Sequence, residues 1–291
     1  MKKIKNINLV VFATSFTLLL FVAGCSGGDN LWGDPENALI MSYRLQDNGS
    51  LNYASDNSMK MDMQIMGQNV ETESIDKHNF TTGVKDVKGD DIVLGIVFNS
   101  SEGSVKSMQG EQKSDFSGII GKGFDLTVTK YGEEKGITNE DDFKSALDAN
   151  SYENITRNFS NLFPTLSQNP VKIGDSWLSY DTVNVDVPGS KITLMFTSDN
   201  KYEGLESVMG YDCAKIVSTV KGTMGGDVTQ QGMDFKLEGT IDAIDTWYFA
   251  YQEGILVKYN SDGTTDANVS GMMGMTIPMK MKNTNSLELV K

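Results

Sequence analysis

Histidine occurs once in this 291-residue chain, cysteine twice, tryptophan three times and proline five times. Each scarcity removes a class of chemistry. With His78 as the only histidine, a zinc cluster of the Cys/His type is excluded. A Ser–His–Asp triad would have to draw on His78, and a lone histidine in a polar stretch reads as a solvated residue rather than a general base. Basic residues are also few. Twenty-five Lys and Arg stand against 39 Asp and Glu, a formal charge of −14, so nucleic acid and anionic lipid head groups should repel the chain. EF-hand, P-loop, nucleophile-elbow and dinucleotide fingerprints are missing. These absences together argue against an enzyme, and nothing calls for a cofactor.

Long hydrophobic runs are scarce too, and the exception is informative. Leu9 to Val22 is apolar and uncharged, behind Lys2, Lys3 and Lys5. That run is short of the roughly 20 residues a membrane span needs and suits the apolar region of a cleavable signal. It ends in Val22-Ala23-Gly24-Cys25, which resembles the bacterial lipobox. The resemblance implies a diacylglyceryl thioether on Cys25, cleavage before it and acylation of the new N-terminus; two or more chains anchor stably where one does not. Ser26 follows the cysteine in place of an acidic residue, as in lipoproteins carried to the outer membrane. Losing residues 1–24 removes three lysines and no acid, taking the formal charge from −14 to −17. The expected organisation is a signal peptide at 1–24, a lipidated N-terminus and flexible tether at 25–37, and one β-rich domain at 38–291. With Cys25 acylated only Cys213 remains, so no internal disulfide can form, and Cys213 reads as a small buried residue.

What is abundant is alternation with period two. Met233, Phe235, Leu237, Gly239, Ile241 and Ala243 alternate with Asp234, Lys236, Glu238, Thr240 and Asp242, as in a half-buried strand. Ile192, Leu194 and Phe196 repeat the pattern, as do Ala214, Ile216 and Val220. Trp247, Phe249 and Tyr251 share a face, and Gln252-Glu253-Gly254 turns the chain into Ile255, Val257 and Tyr259. Further turn signals stand at Asp47-Asn48-Gly49, Gly89-Asp90, Asp199-Asn200, Gly225-Gly226 and Asp262-Gly263. The spacing predicts a mainly β protein, an antiparallel open barrel or curved sheet.

Residues 138–163 break the pattern. Thr138-Asn139-Glu140-Asp141 has the form of a capping box. Phe143, Ala146 and Leu147 fall on one helical face, Tyr152, Ile155, Phe159 and Leu162 on another, and Pro164 ends the segment. A helical insertion in a β chain must cover apolar surface, and the sheet's concave face is the candidate. Then comes Pro170-Val171-Lys172-Ile173-Gly174-Asp175-Ser176-Trp177. Gly174-Asp175 reads as a tight turn capped by the Asp175 side chain, with Trp177 opening a strand and facing inward. Phe163-Pro164 followed by Pro-Val-Lys-x-Gly-Asp-Ser-Trp resembles an uncharacterised family of bacterial lipoprotein domains; Gly121-Lys122-Gly123-Phe124 and the hairpin from Val128 to Ile137 match a second element. The resemblance implies a β-rich envelope protein, akin by fold to half-barrel lipid and lipoprotein carriers of the periplasm. It brings no catalytic residues.

Methionine, at sixteen, is the compositional anomaly. Met59, Met61 and Met63 alternate on one strand, and Met273, Met275, Met279 and Met281 on the last, where Pro278 points off the Met face and suggests an edge strand or bulge. Three readings stay open: core filler, an adaptable pocket for an acyl chain or other apolar ligand, or a thioether site for Cu(I). Acidic pairs such as Glu133-Glu134, Asp242 with Asp245, Asp90-Asp91 and Asp141-Asp142 read as solvated charge. The expectation is a lipid-anchored, non-enzymatic lipoprotein of the bacterial envelope, at the outer membrane. It would bind an apolar small molecule, lipid or lipidated partner in a concave β face. The alternative is a structural or interaction lipoprotein with no cavity.

Overall fold

Apolar residues recur at every second position through many segments of the chain, such as 233–243 and 192–196, and a strand answers that period by sending alternate side chains to opposite faces. In the computed structural model, which describes residues 31–34, 37–65, 67–159, 162–187, 189–230, 233–271 and 276–291, the result is a curled antiparallel half-barrel. Strands β1 (Gly33–Asp34) and β2 (Ala38–Leu39) form a small ladder of their own. The first half of the main sheet is β3 (Ser50–Ile65), β4 (Gln68–Lys88), β5 (Asp91–Ser107), β6 (Gly110–Ser114), β7 (Gly123–Thr129) and β8 (Glu134–Thr138). Helices α1 (Asp141–Lys144) and α2 (Ala149–Phe159) follow. The second half is β9 (Ser176–Val187), β10 (Ser190–Val208), β11 (Tyr211–Gln230), β12 (Met233–Ala250), β13 (Ile255–Gly271) and β14 (Thr276–Val290). The order is β8-β7-β5-β4-β3-β14-β13-β12-β11-β10-β9, with β6 pairing β5.

The signal peptide expected at 1–24, Cys25, Met273 and Met275 lie outside the described residues. Part of the stretch expected as tether is ordered structure: Gly33–Asp34 pairs with Ala38–Leu39, and Trp32 packs against the main core under the Arg44 guanidinium.

Strands are far longer than the turn signals imply. β4 runs 21 residues and β11 runs 20, against about 5–6 for an ordinary strand. Asp47-Asn48-Gly49 and Gly89-Asp90 do turn the chain. Asp199-Asn200, Gly225-Gly226 and Asp262-Gly263 do not; they sit inside β10, β11 and β13. The reason is packing. A Cβ on Gly226 would sit 2.1 Å from the Lys191 carbonyl oxygen, so this glycine allows a close backbone approach. Pro278 is likewise not on an edge strand. β14 is paired on both sides: Pro278 stands opposite Asn268 of β13, and the pairing with β3 begins one residue on, at Met279.

α2 lies against β9 and joins the concave face through its apolar stripe. Phe159 stacks edge-on to Phe80, Phe98 and Phe124, with ring centroids 4.9, 5.5 and 5.2 Å away, and Phe143 of α1 lies 5.1 Å from Phe98. All five rings are buried, each contributing about 1.5–3 kcal/mol by burial. The helical insertion thus fills the concave side over β4, β5 and β7. Its start differs from the expected capping box. Thr138 ends β8, Asn139 takes a left-handed φ of 55° and donates to Asp125, and Glu140 caps α1 without a side-chain bond.

The convex face is charged. Lys77 pairs with Asp56 at 3.2 Å, Lys280 with Asp266 at 3.5 Å and Lys258 with Glu288 at 3.8 Å, each across neighbouring strands. A transmembrane barrel needs an apolar outer band. This sheet carries ion pairs there beside scattered exposed apolar residues such as Tyr180, Met195 and Ile244. No helix among the described residues is long and apolar enough to cross a membrane.

Candidate functional site in the concave face

The helices cover only part of the hollow. Between β9–β14, β3, β4, Phe159 and Leu162 to Thr165 a cavity of about 460 Å³ remains, inside the range typical of small-molecule sites. Its wall is ordered in layers, because antiparallel register places inward residues of successive strands directly opposite one another.

The innermost layer is aromatic. Trp247 is buried, stands edge-on to Trp177 at 6.1 Å and faces Tyr259 across the β12–β13 ladder. Trp177 enters from the predicted Gly-Asp-Ser-Trp turn. Gly174 has φ 95°, Asp175 accepts from the Lys172 amide at 2.9 Å, and the Trp177 indole N–H donates to the Thr165 carbonyl at 2.9 Å. That last bond ties the edge strand to the segment after α2, which Tyr43 holds from the other side by donating to the Pro164 carbonyl at 2.9 Å.

Next comes a polar belt. Asn200, Ser218, Asp245, Ser261, Asn285, Asn57 and Asp76 are successive cross-strand partners on β10, β11, β12, β13, β14, β3 and β4. One end is fully bonded: the Trp247 indole N–H donates to Ser218 Oγ at 3.0 Å, Ser218 donates to Asn200 Oδ1 at 2.6 Å, and Asn200 donates to Ser179 Oγ at 3.1 Å. The middle is not. Asp245 accepts from Tyr259 and Ser261, yet its Oδ1 and Asn57 Nδ2 are out of solvent and have no hydrogen-bond partner. Burial raises the carboxyl pKa of Asp245 and of Asp76 above the ordinary range. At the open ends of the sheet Glu134 of β8 and Asp181 of β9 also line the cavity. Burial and the nearby Asp181 push Glu134 up to about 7, and burial also raises Asp181 beside Glu133.

Beyond the belt the wall turns apolar. Phe196, Gly222, Ile241, Thr265, Met281 and Met61 form one row, and Leu194, Met224, Gly239, Ala267, Met279 and Met63 the next. Glycines alternate with large residues, and Phe196 covers Gly222 so closely that a Cβ there would lie 2.8 Å from its ring.

The structure therefore places the sequence candidates as follows. Met61 and Met63 are direct partners of Met281 and Met279, and Met59 is the partner of Asn283. Met59 and Met281 line the cavity, whereas Met61, Met63 and Met279 pack with Leu237 and Ala267. Cys213 is fully buried and its thiol is pushed up to about 12 by burial. Three expectations are corrected. His78 is buried rather than solvated: it points inward between Asp76 and Phe80, bonds Ser101 Oγ at 3.0 Å, and packs on Phe98 and Phe116. Glu134 and Asp245, taken as solvated charge, face the cavity instead. Asp76 and Asp181 carried no sequence signal beyond lying on the inward parity of their strands.

No protein-family model matches the chain, and no curated protein does. Among solved structures, an outer membrane channel from Pseudomonas putida F1 is 11% identical, covering 89% of this chain and 98% of its own at a TM-score of 0.24. The β domain of the Bordetella autotransporter BrkA is 7% identical over 82% of this chain and 99% of its own, at 0.22. A DUF1329 family protein from Desulfovibrio piger is 13% identical over 84% and 88%, at 0.12. With TM-scores this low, the half-barrel assignment stands on the chain's own strand pairing.

Proposed function

We propose that this protein is a lipid-anchored, non-enzymatic binding protein of the bacterial envelope, held at the outer membrane through Cys25. It takes an apolar ligand, or the acyl part of a lipidated partner, on the concave face of the half-barrel. One observation carries the reading: about 460 Å³ of the hollow is left unfilled, with Met59, Met281, Leu194, Phe196 and Met224 in its wall. A core built only for stability closes such a space, because the atoms lining a void lose their packing partners. Methionine suits an adaptable apolar wall, since its unbranched thioether chain repacks around ligands of different shape.

The test is extraction of residues 25–291 carrying Cys25→Ser, made without the apolar run from Leu9 to Val22 and recovered from the aqueous fraction, followed by mass spectrometry of the extract. The expected result is lipid or another amphiphile near one molecule per chain. An empty protein without affinity for acyl-chain probes would instead favour a scaffold that offers its acidic surface to an envelope partner.

A further inference from the structure

The layers of the cavity wall say more about the ligand than that it is apolar. We propose, resting on the binding function above, that the ligand is a single-chain amphiphile with an ammonium head group, the head seated on the Asp245–Asp76 belt and the chain lying against Met59, Met224 and Met281.

Three observations lead there. The first is order along the strands. From Asp245 to Ile241 on β12 the cavity wall passes from the polar belt, through Ala243, to the row that holds Met281 in four residues, about 13 Å at strand rise. A ligand lying along the strands meets the polar belt and then a wall that is mainly apolar, broken by Ser198, Asn283 and Thr265, which is the polarity of an amphiphile.

The second is unmet hydrogen bonding. Asp245 Oδ1 and Glu134 Oε2 are out of solvent with no partner, and both residues line the cavity. Buried acceptors of this kind cost about 1–3 kcal/mol each when left unmade. Asn57 Nδ2, a donor in the same belt, is also unmet, so the wall presents two unmet acceptors to one unmet donor.

The third is charge. Among the described residues four carboxyls face the space, those of Asp76, Glu134, Asp181 and Asp245, against one lining cation, the exposed Arg157. Burial disfavours the ionised form of each acid. An ammonium group supplies N–H donors and an opposite charge together, and so relieves both penalties. An anionic head group adds to them, and an uncharged one relieves only the first.

The experiment displaces the apolar fluorescent probe N-phenyl-1-naphthylamine from the full chain in a non-ionic amphipol. Three competitors of equal chain length are used: dodecylammonium, dodecyl maltoside and dodecanoate. The expected result is that dodecylammonium binds at least tenfold more tightly than either of the others. Asp245→Asn and, separately, Asp76→Asn should each lower dodecylammonium affinity at least tenfold and leave dodecyl maltoside unchanged. Equal or tighter binding of dodecanoate or dodecyl maltoside overturns the head-group assignment while leaving the apolar site intact, and so does unchanged dodecylammonium affinity in both variants. If none of the three displaces the probe, the binding function itself fails.

Discussion

His78 offers a perturbation whose size follows from its surroundings. The imidazole is 1% exposed, lies edge-on to Phe98 and Phe116 at 5.7 and 5.6 Å, and has one polar neighbour at Nδ1, Ser101. Its Nε2 has no partner. Burial therefore holds the ring neutral, with its pKa lowered from 6.5 to about 4. The sign is set by which state binds the proton first. The unfolded chain takes it up near pH 6.5 and the folded protein near 4, so the stabilisation is whole above 6.5 and drains away between 6.5 and 4. A drop of that size corresponds to a loss of about 2 kcal/mol at pH 5 and about 3 kcal/mol at pH 4. Glu134, Asp76, Asp181 and Asp245 act oppositely. Their raised values add stability as pH falls through the folded pKa, near 7 for Glu134. The His78 contribution is isolated by difference. Urea unfolding of wild type and His78→Phe from pH 7 to 4 should show the variant gaining about 3 kcal/mol relative to wild type across that range, whatever its stability at pH 7. Parallel pH profiles for the two proteins would refute the neutral, buried imidazole.

Other outcomes follow from the same structure. Gly123→Ala should unfold the β5–β7 ladder or prevent folding, because a Cβ there would lie 1.6 Å from the Ile96 carbonyl oxygen; circular dichroism and urea melts report it, and a native-like melt would show that β7 does not approach β5 so closely. Cys213, buried and with its thiol raised to about 12, should react with Ellman's reagent only as fast as the protein unfolds. Under the proposed anchoring, residues 25–291 bearing Cys25→Ser and made without residues 1–24 should stay in the aqueous fraction while the wild-type full chain partitions with the membrane; membrane partitioning of the shortened variant would count against the anchor.

Alternation in the sequence was enough to read the sheet, the Trp247–Phe249–Tyr251 hairpin and the helical insertion, because those depend on local period and local turn chemistry. Strand length was not readable. Asn200, Gly226 and Gly263 look like turn residues, yet they are inward positions of long strands, selected by a hydrogen-bonded belt or by close packing against the neighbouring strand. The polar cavity was missed for a related reason. Period two says that Asp245 and Trp247 share a face, but whether that face meets water depends on strands and helices distant in the chain. His78 was misjudged in the same way. Pairing of Met61 with Met281 needed β3 and β14 to meet, which only the closing of the two halves of the sheet supplies.

The cavity is the centre of the account, and filling it is the most direct test. Ala243 lines it on β12, between Ile241 and Asp245. Titration of wild type and Ala243→Phe with N-phenyl-1-naphthylamine should give saturable, one-site binding to wild type and at least a tenfold loss in the variant, with matching circular dichroism and urea midpoints. Equal binding by the two proteins would mean that the apolar probe sits elsewhere and that the hollow of the half-barrel is not where this protein works.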